Sequence, residues 1–265
     1  ITFFKVVYRR HTNFAMESME QALTGTPNYN NKVTCRIARN GDLVGPCYVE
    51  ATLGESSSDG VRMFNSRPGF NMIKSAELRI GGQKIDKQTG MWMDVWTELT
   101  HSYDTSLQLN GLVGSRSQSS ASGAGAIASG LIGVTSTGES NSNDKQKVNT
   151  PLQFSFCRNP GLAIPLIALQ YHEVEIVIEF SKKNNMTHLT NVVSSSNANV
   201  TNLANVSLWA DYIFLDTEER KNFAQNTHEY LIETVQENTD NVTEGSTDNI
   251  KLTFNHPVKE LVWVY

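Results

Sequence analysis

Two histidine–glutamate pairs, His172-Glu173 and His228-Glu229, are the residues best suited by type to metal chemistry. A zinc hydrolase of the H-E-x-x-H type needs a second histidine one helical turn after the first. Both imidazoles then hold one ion while the glutamate activates its water. No histidine follows either glutamate at that spacing. Both pairs also fall in segments that read as strands, where side chains four apart stand too far along the chain to share an ion. Among the six histidines no two are one residue apart, so the paired strand ligands of a cupin-type metal enzyme are missing. Cys35, Cys47 and Cys157 have no metal-ligand spacing and read as free, mostly buried thiols of a protein assembled in cytosol. The run from Gly123 to Ala128 imitates a dinucleotide fingerprint, yet no strand precedes it, and a phosphate-binding turn needs strand, turn and helix together. Neither a G-x-S-x-G elbow nor a P-loop occurs. No catalytic residue, metal ligand or cofactor is expected.

Four N-x-[ST] sequons remain as modification candidates: Asn185, Asn199, Asn205 and Asn241. The first three lie in or beside an Asn- and Ser-rich stretch where a glycan would meet solvent. Cytosolic assembly would bypass ordinary glycosylation. Charge argues against nucleic acid as a direct partner: 22 basic and 27 acidic residues give a net charge of −5. The cluster Lys5, Arg9, Arg10 and His11 is a local exception that reads as a solvated strand end or a buried polar anchor. The longest uncharged apolar run, Gly161–Leu169, is far short of the roughly 20 residues a membrane helix needs. With no initiator Met, the sequence reads as part of a longer product.

The elements that would position any site are mostly strands. Val174, Ile176, Ile178 and Phe180 alternate with glutamates at 173, 175 and 179, the period of two that a half-buried strand requires. Val33–Ile37, Cys47–Leu53, Ser75–Ile80, Gln153–Cys157, Glu173–Phe180 and Ser207–Leu215 all read as strands between turn residues. Gly81-Gly82 suits a two-residue hairpin, since both positions can take positive φ. One helix is predicted in the first half, over Gln88–His101, with Met91, Trp92, Val95, Trp96 and Leu99 as its apolar stripe. A second helix is expected at Thr217–Asn226, with Thr217 as N-cap. Thr227–Gln236 and Asn249–Asn255 read as further strands. Residues 114–147 and 182–206, built largely of Ser, Gly, Asn and Thr, have too few bulky side chains to offset the entropy of ordering and read as surface loops. Many strands and little helix imply an all-β sandwich.

Four separate stretches carry a resemblance: ITFFKVVYRRHTNFAMES (Ile1–Ser18), RNPGLAIPLIALQYHEVEIVIEF (Arg158–Phe180), WADYIFLDTEERKNFAQNTHEYLIE (Trp209–Glu233) and NHPVKELVW (Asn255–Trp263). With RNGDL (Arg39–Leu43) and ELRIGGQKIDK (Glu77–Lys87) between them, the sequence closely resembles the major capsid proteins of nucleocytoplasmic large DNA viruses, of the algal-virus and iridovirus type. The resemblance thins over 114–147 and 181–206.

That likeness implies an antiparallel jelly-roll sandwich, the first of a double jelly-roll, over residues 1–216. A helical linker at 217–226 and the opening of a second jelly-roll at 227–265 would follow. It implies a structural protein and not an enzyme. The subunit would form a homotrimeric, pseudo-hexagonal capsomer that tiles an icosahedral shell in the virion, assembled in the host cytoplasm. Partners would be further copies, neighbouring capsomers, minor capsid proteins and an inner membrane. Ile1–Asn13 and Thr217–Asn226 are the expected subunit contacts. The rival readings are a minor capsid or scaffold jelly-roll and a carbohydrate-binding jelly-roll module.

Overall fold

The computed structural model describes residues 11–54, 62–64, 67–114, 145–189, 202–240 and 249–264. Its strands are β1 (Phe14–Gln21), β2 (Leu23–Thr24), β3 (Lys32–Arg36), β4 (Leu43–Gly54), β5 (Arg62–Phe64), β6 (Ile73–Ile80), β7 (Gln83–Thr89), β8 (Lys145–Pro151), β9 (Ile164–Pro165), β10 (Val174–Phe180), β11 (Thr187–Leu189) and β12 (Ala204–Leu215). The helices are α1 (Pro68–Asn71), α2 (Gly90–Thr100), α3 (Tyr103–Val113), α4 (Ser155–Arg158), α5 (Lys183–Met186) and α6 (Thr217–Gln225). One five-stranded sheet runs β1-β12-β4-β8, with β9 beside the start of β4; the other runs β2-β3-β10-β6-β7. All their pairings are antiparallel. The chain is the all-β sandwich expected from its patterning.

The core forms where the inward faces meet. Val174, Ile176, Ile178 and Phe180 of β10 are buried, as their alternation requires, and face Val44, Cys47, Val49, Ala51 and Leu53 of β4 with Leu208, Ala210 and Tyr212 of β12. Each such fully buried large aliphatic or aromatic side chain contributes about 1.5–3 kcal/mol of transfer free energy. Gly81 and Gly82 turn β6 into β7 with φ of 59° and 81°, the positive values that a primed hairpin turn needs.

Several local expectations are corrected. Gln153–Cys157 is not a strand: Leu152 N donates to the Cys47 carbonyl, and the chain then turns into α4, with Phe154 and Phe156 both buried and stacked 5.8 Å apart. Alternating aromatics there reflect two neighbouring core sockets and not a ladder. Helix α2 exists, but Met91 and Leu99 are exposed, while Gly90, Met93 and Thr97 are buried. A Cβ at Gly90 would lie 2.2 Å from the carbonyls of both Phe70 and Ile73, so close backbone approach selected this face. The expected loops are shorter than 114–147 and 182–206, since β8 begins at Lys145 and β12 at Ala204, and α5 and β11 lie in the second. The N-cap of α6 is Asp216, whose carboxylate accepts from Thr217 N. No strand is found among the described residues of 227–264. Side-chain bonds join those two segments instead: Asn238 Nδ2 to the Lys251 carbonyl and Asn255 N to Gln236 Oε1.

Candidate functional site

The histidine pairs do not build a metal centre. His172 packs its Nδ1 against the β6–β7 turn, where a Cβ on Gly81 would meet it at 2.7 Å. His228 stacks on Phe223 with ring centroids 5.0 Å apart, and its Nε2 donates to the Phe223 carbonyl at 2.8 Å. It thereby serves a carbonyl that the end of α6 leaves open. Among the described residues no three His, Cys, Asp or Glu side chains are grouped to hold a metal ion. Nor is any helix there long and apolar enough to cross a membrane.

A hollow of about 390 Å³ lies beside Arg36, Arg39, Gln170, Tyr171 and His172. Its cations are engaged. Arg39 donates to the carbonyls of Leu169, Gln170 and His172, and Arg36 pairs with Glu173 at 2.9 Å. With guanidinium donors spent on backbone and a carboxylate close by, the hollow has little left for an anion. The thiols are equally quiet. Burial pushes Cys35 up to about 12, and Cys47 is held above its ordinary value by its bond with the Cys157 thiol and by burial.

Of the sequons, Asn185 on α5 and Asn205 at an irregularity of β12 are exposed. Asn205 takes φ of 48°, a conformation asparagine tolerates better than most residues. Asn199 and Asn241 lie outside the described residues, as do Lys5, Arg9 and Arg10.

What the geometry does bring together is a joint where the chain leaves the sandwich. Asp42, 5% exposed, accepts from Leu215 N at 2.8 Å through Oδ2 and from Arg220 Nε at 2.9 Å through Oδ1. One carboxylate thus ties the end of β12 to α6. Farther on, Glu233 pairs with Arg158 at 3.4 Å and Lys259 at 2.5 Å, and Val235 N donates to Asp86 Oδ1 at 2.9 Å. The bond from Lys259 holds the Glu233 carboxyl below its usual range, whereas burial raises that of Asp86 against three hydrogen bonds that lower it. Sequence reading placed α6 but missed Asp42, Asp86 and Arg158. The only signal was their presence inside the RNGDL, QKIDK and RNPGL runs.

The second feature is apolar surface exposed among the described residues. Met91 and Leu99 of α2 lie exposed with Tyr103, Leu107 and Leu112 of α3, and Phe14 and Met16 lie exposed on the sheet-edge strand β1. Buried Arg67 fixes α2 to α3 by bonding Asp94, Glu98, Ser106 and Asn110. Leu231, Ile250, Leu252 and Trp263 are exposed in the segment after α6.

Comparison with known proteins supplies the context. The family profile described as major capsid protein N-terminus matches residues 2–216, and that described as large eukaryotic DNA virus major capsid protein matches residues 219–265. The chain is 47% identical over 269 residues to the major capsid protein of Pyramimonas orientalis virus, covering 100% of this chain and 59% of that one. It is 38% identical over 268 residues to the major capsid protein of Paramecium bursaria Chlorella virus 1, covering 99% and 55%. Among solved structures, the quasi-atomic PBCV-1 virus capsid is similar at a TM-score of 0.70 and 35% identity, over 88% of this chain and 50% of that one. The Faustovirus major capsid protein, at 13% identity and a TM-score of 0.59, shares the fold. The chain spans little more than half the length of these relatives.

Proposed function

We propose, because the chain belongs to the major capsid protein family of large eukaryotic DNA viruses, that it is a shell subunit whose chemistry is cohesion and not catalysis. The profile match over residues 2–216, on an antiparallel sandwich of the same fold, carries this reading. Three copies would form a capsomer of pseudo-hexagonal outline, and capsomers would tile an icosahedral shell in the virion. A subunit with two similar sandwiches lets a threefold ring fill a sixfold lattice site. In this reading residues 1–216 are the first jelly-roll, 217–226 the linker and 227–265 the opening of the second. Host cytoplasm is the proposed place of assembly, with minor capsid proteins and an inner membrane as further partners.

Physical chemistry favours four places for subunit contact. The α2–α3 face and β1 present apolar side chains that a stable interface would bury at its centre. Helix α6 and Ile1–Asn13, of which only residues 11–13 are described, can reach neighbours from the sandwich margin. The long Ser- and Asn-rich connections would face outward, where insertions disturb no contact. Glycans on Asn185, Asn199 or Asn205, in or beside the second of those connections, or on Asn241 are part of the same proposal, and an intact mass equal to the bare polypeptide would remove them.

The deciding experiment is the mass and shape of the full-length protein in solution. A trimer roughly 70–80 Å across, scaled from domain dimensions, is expected by light and small-angle scattering. A strictly monomeric protein at micromolar concentration would contradict the proposal.

A further inference from the structure

We propose that Arg158 is a positioning residue: it pins the chain beyond α6 to the sandwich and so fixes the direction in which residues 227–265 leave it. Its consequence rests on the reading of those residues as the start of a second domain; its contacts do not. Arg158 closes α4, which the Leu152–Cys47 backbone bond seats on β4. From there its guanidinium reaches two elements remote in sequence. It lies 4.8 Å over the centroid of Trp96 on α2, and its Nη2 stands 3.4 Å from Glu233. Two residues on, Val235 N donates to Asp86, itself held by Lys87 N and Gln88 Nε2 on β7.

The question is whether this pairing matters or is one more surface ion pair of negligible effect. Leu231 and Ile232 are 74% and 47% exposed, so apolar burial does little to hold this stretch down. Polar contacts must. The cation also acts on both carboxylates that flank the segment, favouring the charged forms of Glu233 and of buried Asp86. Without it, Glu233 would keep only Lys259 as an ion-pair partner, and Asp86 would lose a nearby positive charge. A flat guanidinium can stack on an indole and pair with a carboxylate at once, which an ammonium does poorly.

The test is hydrogen–deuterium exchange of the full-length protein, read at the Val235 amide. Arg158→Met keeps the apolar stem and removes the charge. It is expected to speed Val235 exchange about tenfold while the β10 amides stay unchanged. Glu233→Gln, on a side chain 33% exposed and outside the core, should shift Val235 in the same direction. The exchanged pair Arg158→Glu with Glu233→Arg should restore part of the protection. Val235 exchange within about twofold of wild type in both single variants, or a rise matched by β10, would overturn the assignment. Trimer mass, recorded on the same samples, tests the shell proposal separately.

Discussion

Tyr212 and Arg67 show two ways in which single buried polar groups hold this sandwich in one arrangement. The Tyr212 hydroxyl donates to the Ala38 carbonyl at 2.6 Å and lies 3.0 Å from Gln21 Oε1, and burial keeps it protonated far above ordinary pH. Tyr212→Phe fills the same space but strands a buried carbonyl, so we expect a loss of about 1–2 kcal/mol. A lower denaturant midpoint at unchanged m-value is the measurement. Arg67 is the more exacting case, because its backbone sits at φ 52° and its side chain is only 8% exposed. Arg67→Ala leaves Asp94 and Glu98 without their cation. Both are partly exposed, so the cost is set below that of a fully buried pair, at about 2–3 kcal/mol. Faster exchange confined to α2 and α3 should accompany it; uniform loosening of the sheets would show that Arg67 does not serve those helices in particular. None of this was legible in the sequence. Two of the partners, Asp94 and Asn110, lie 27 and 43 residues away, at no spacing that a local pattern could reveal.

Elements were legible to the degree that one face meets core and the other water. Strand β10 announces itself because Glu175 and Glu179 alternate with four buried apolar residues. The Gly81-Gly82 turn was equally readable, since few other residues tolerate that backbone. Strand β1 was not, because residues 14–18 are exposed on both faces and leave no alternation to find. Helix α2 was found, but the line it buries was not. Of its apolar stripe Trp92, Val95 and Trp96 are half-buried and Met91 and Leu99 exposed, while the buried line begins at Gly90, where a small residue permits backbone contact. The correction has a direct consequence. Met93→Ala should cost about 2–4 kcal/mol by opening a cavity, while Met91→Ser and Leu99→Ser should change stability by less than about 0.5 kcal/mol. Thermal unfolding of the three variants reads this directly. If α2 also packs against a second copy, the two serine variants will weaken the proposed trimer despite their intact fold.

At the scale of the whole molecule, the ionised groups at two remote places set how stability responds to acid. Lys74 holds Glu179 below its usual carboxyl range on the outer face of the β10–β6 pair, and Lys259 does the same for Glu233 at the joint. A carboxyl with a depressed native pKa stabilises the fold fully above the unfolded value, here 4.5, and that contribution disappears as pH falls through the native value. Asp86 has the opposite sign. Burial raises it above 3.8, so the native state binds the extra proton, and its stabilising contribution is lost as pH rises through the native value. Both glutamates are partly exposed, so each effect is small and salt-sensitive. Unfolding free energies measured from pH 3 to pH 6 should therefore rise with pH. The slope should flatten in Glu179→Gln with Glu233→Gln, and steepen in Asp86→Asn, which removes the opposing group. An unchanged slope in the double glutamine variant would show that neither ion pair is held in solution. The separation matters because the two pairs report on different parts. If Glu233→Gln flattens the slope and speeds Val235 exchange in the same variant, the acid response and the docking of the segment beyond α6 share one origin. If only Glu179→Gln acts, the sandwich responds to acid independently of residues 227–265.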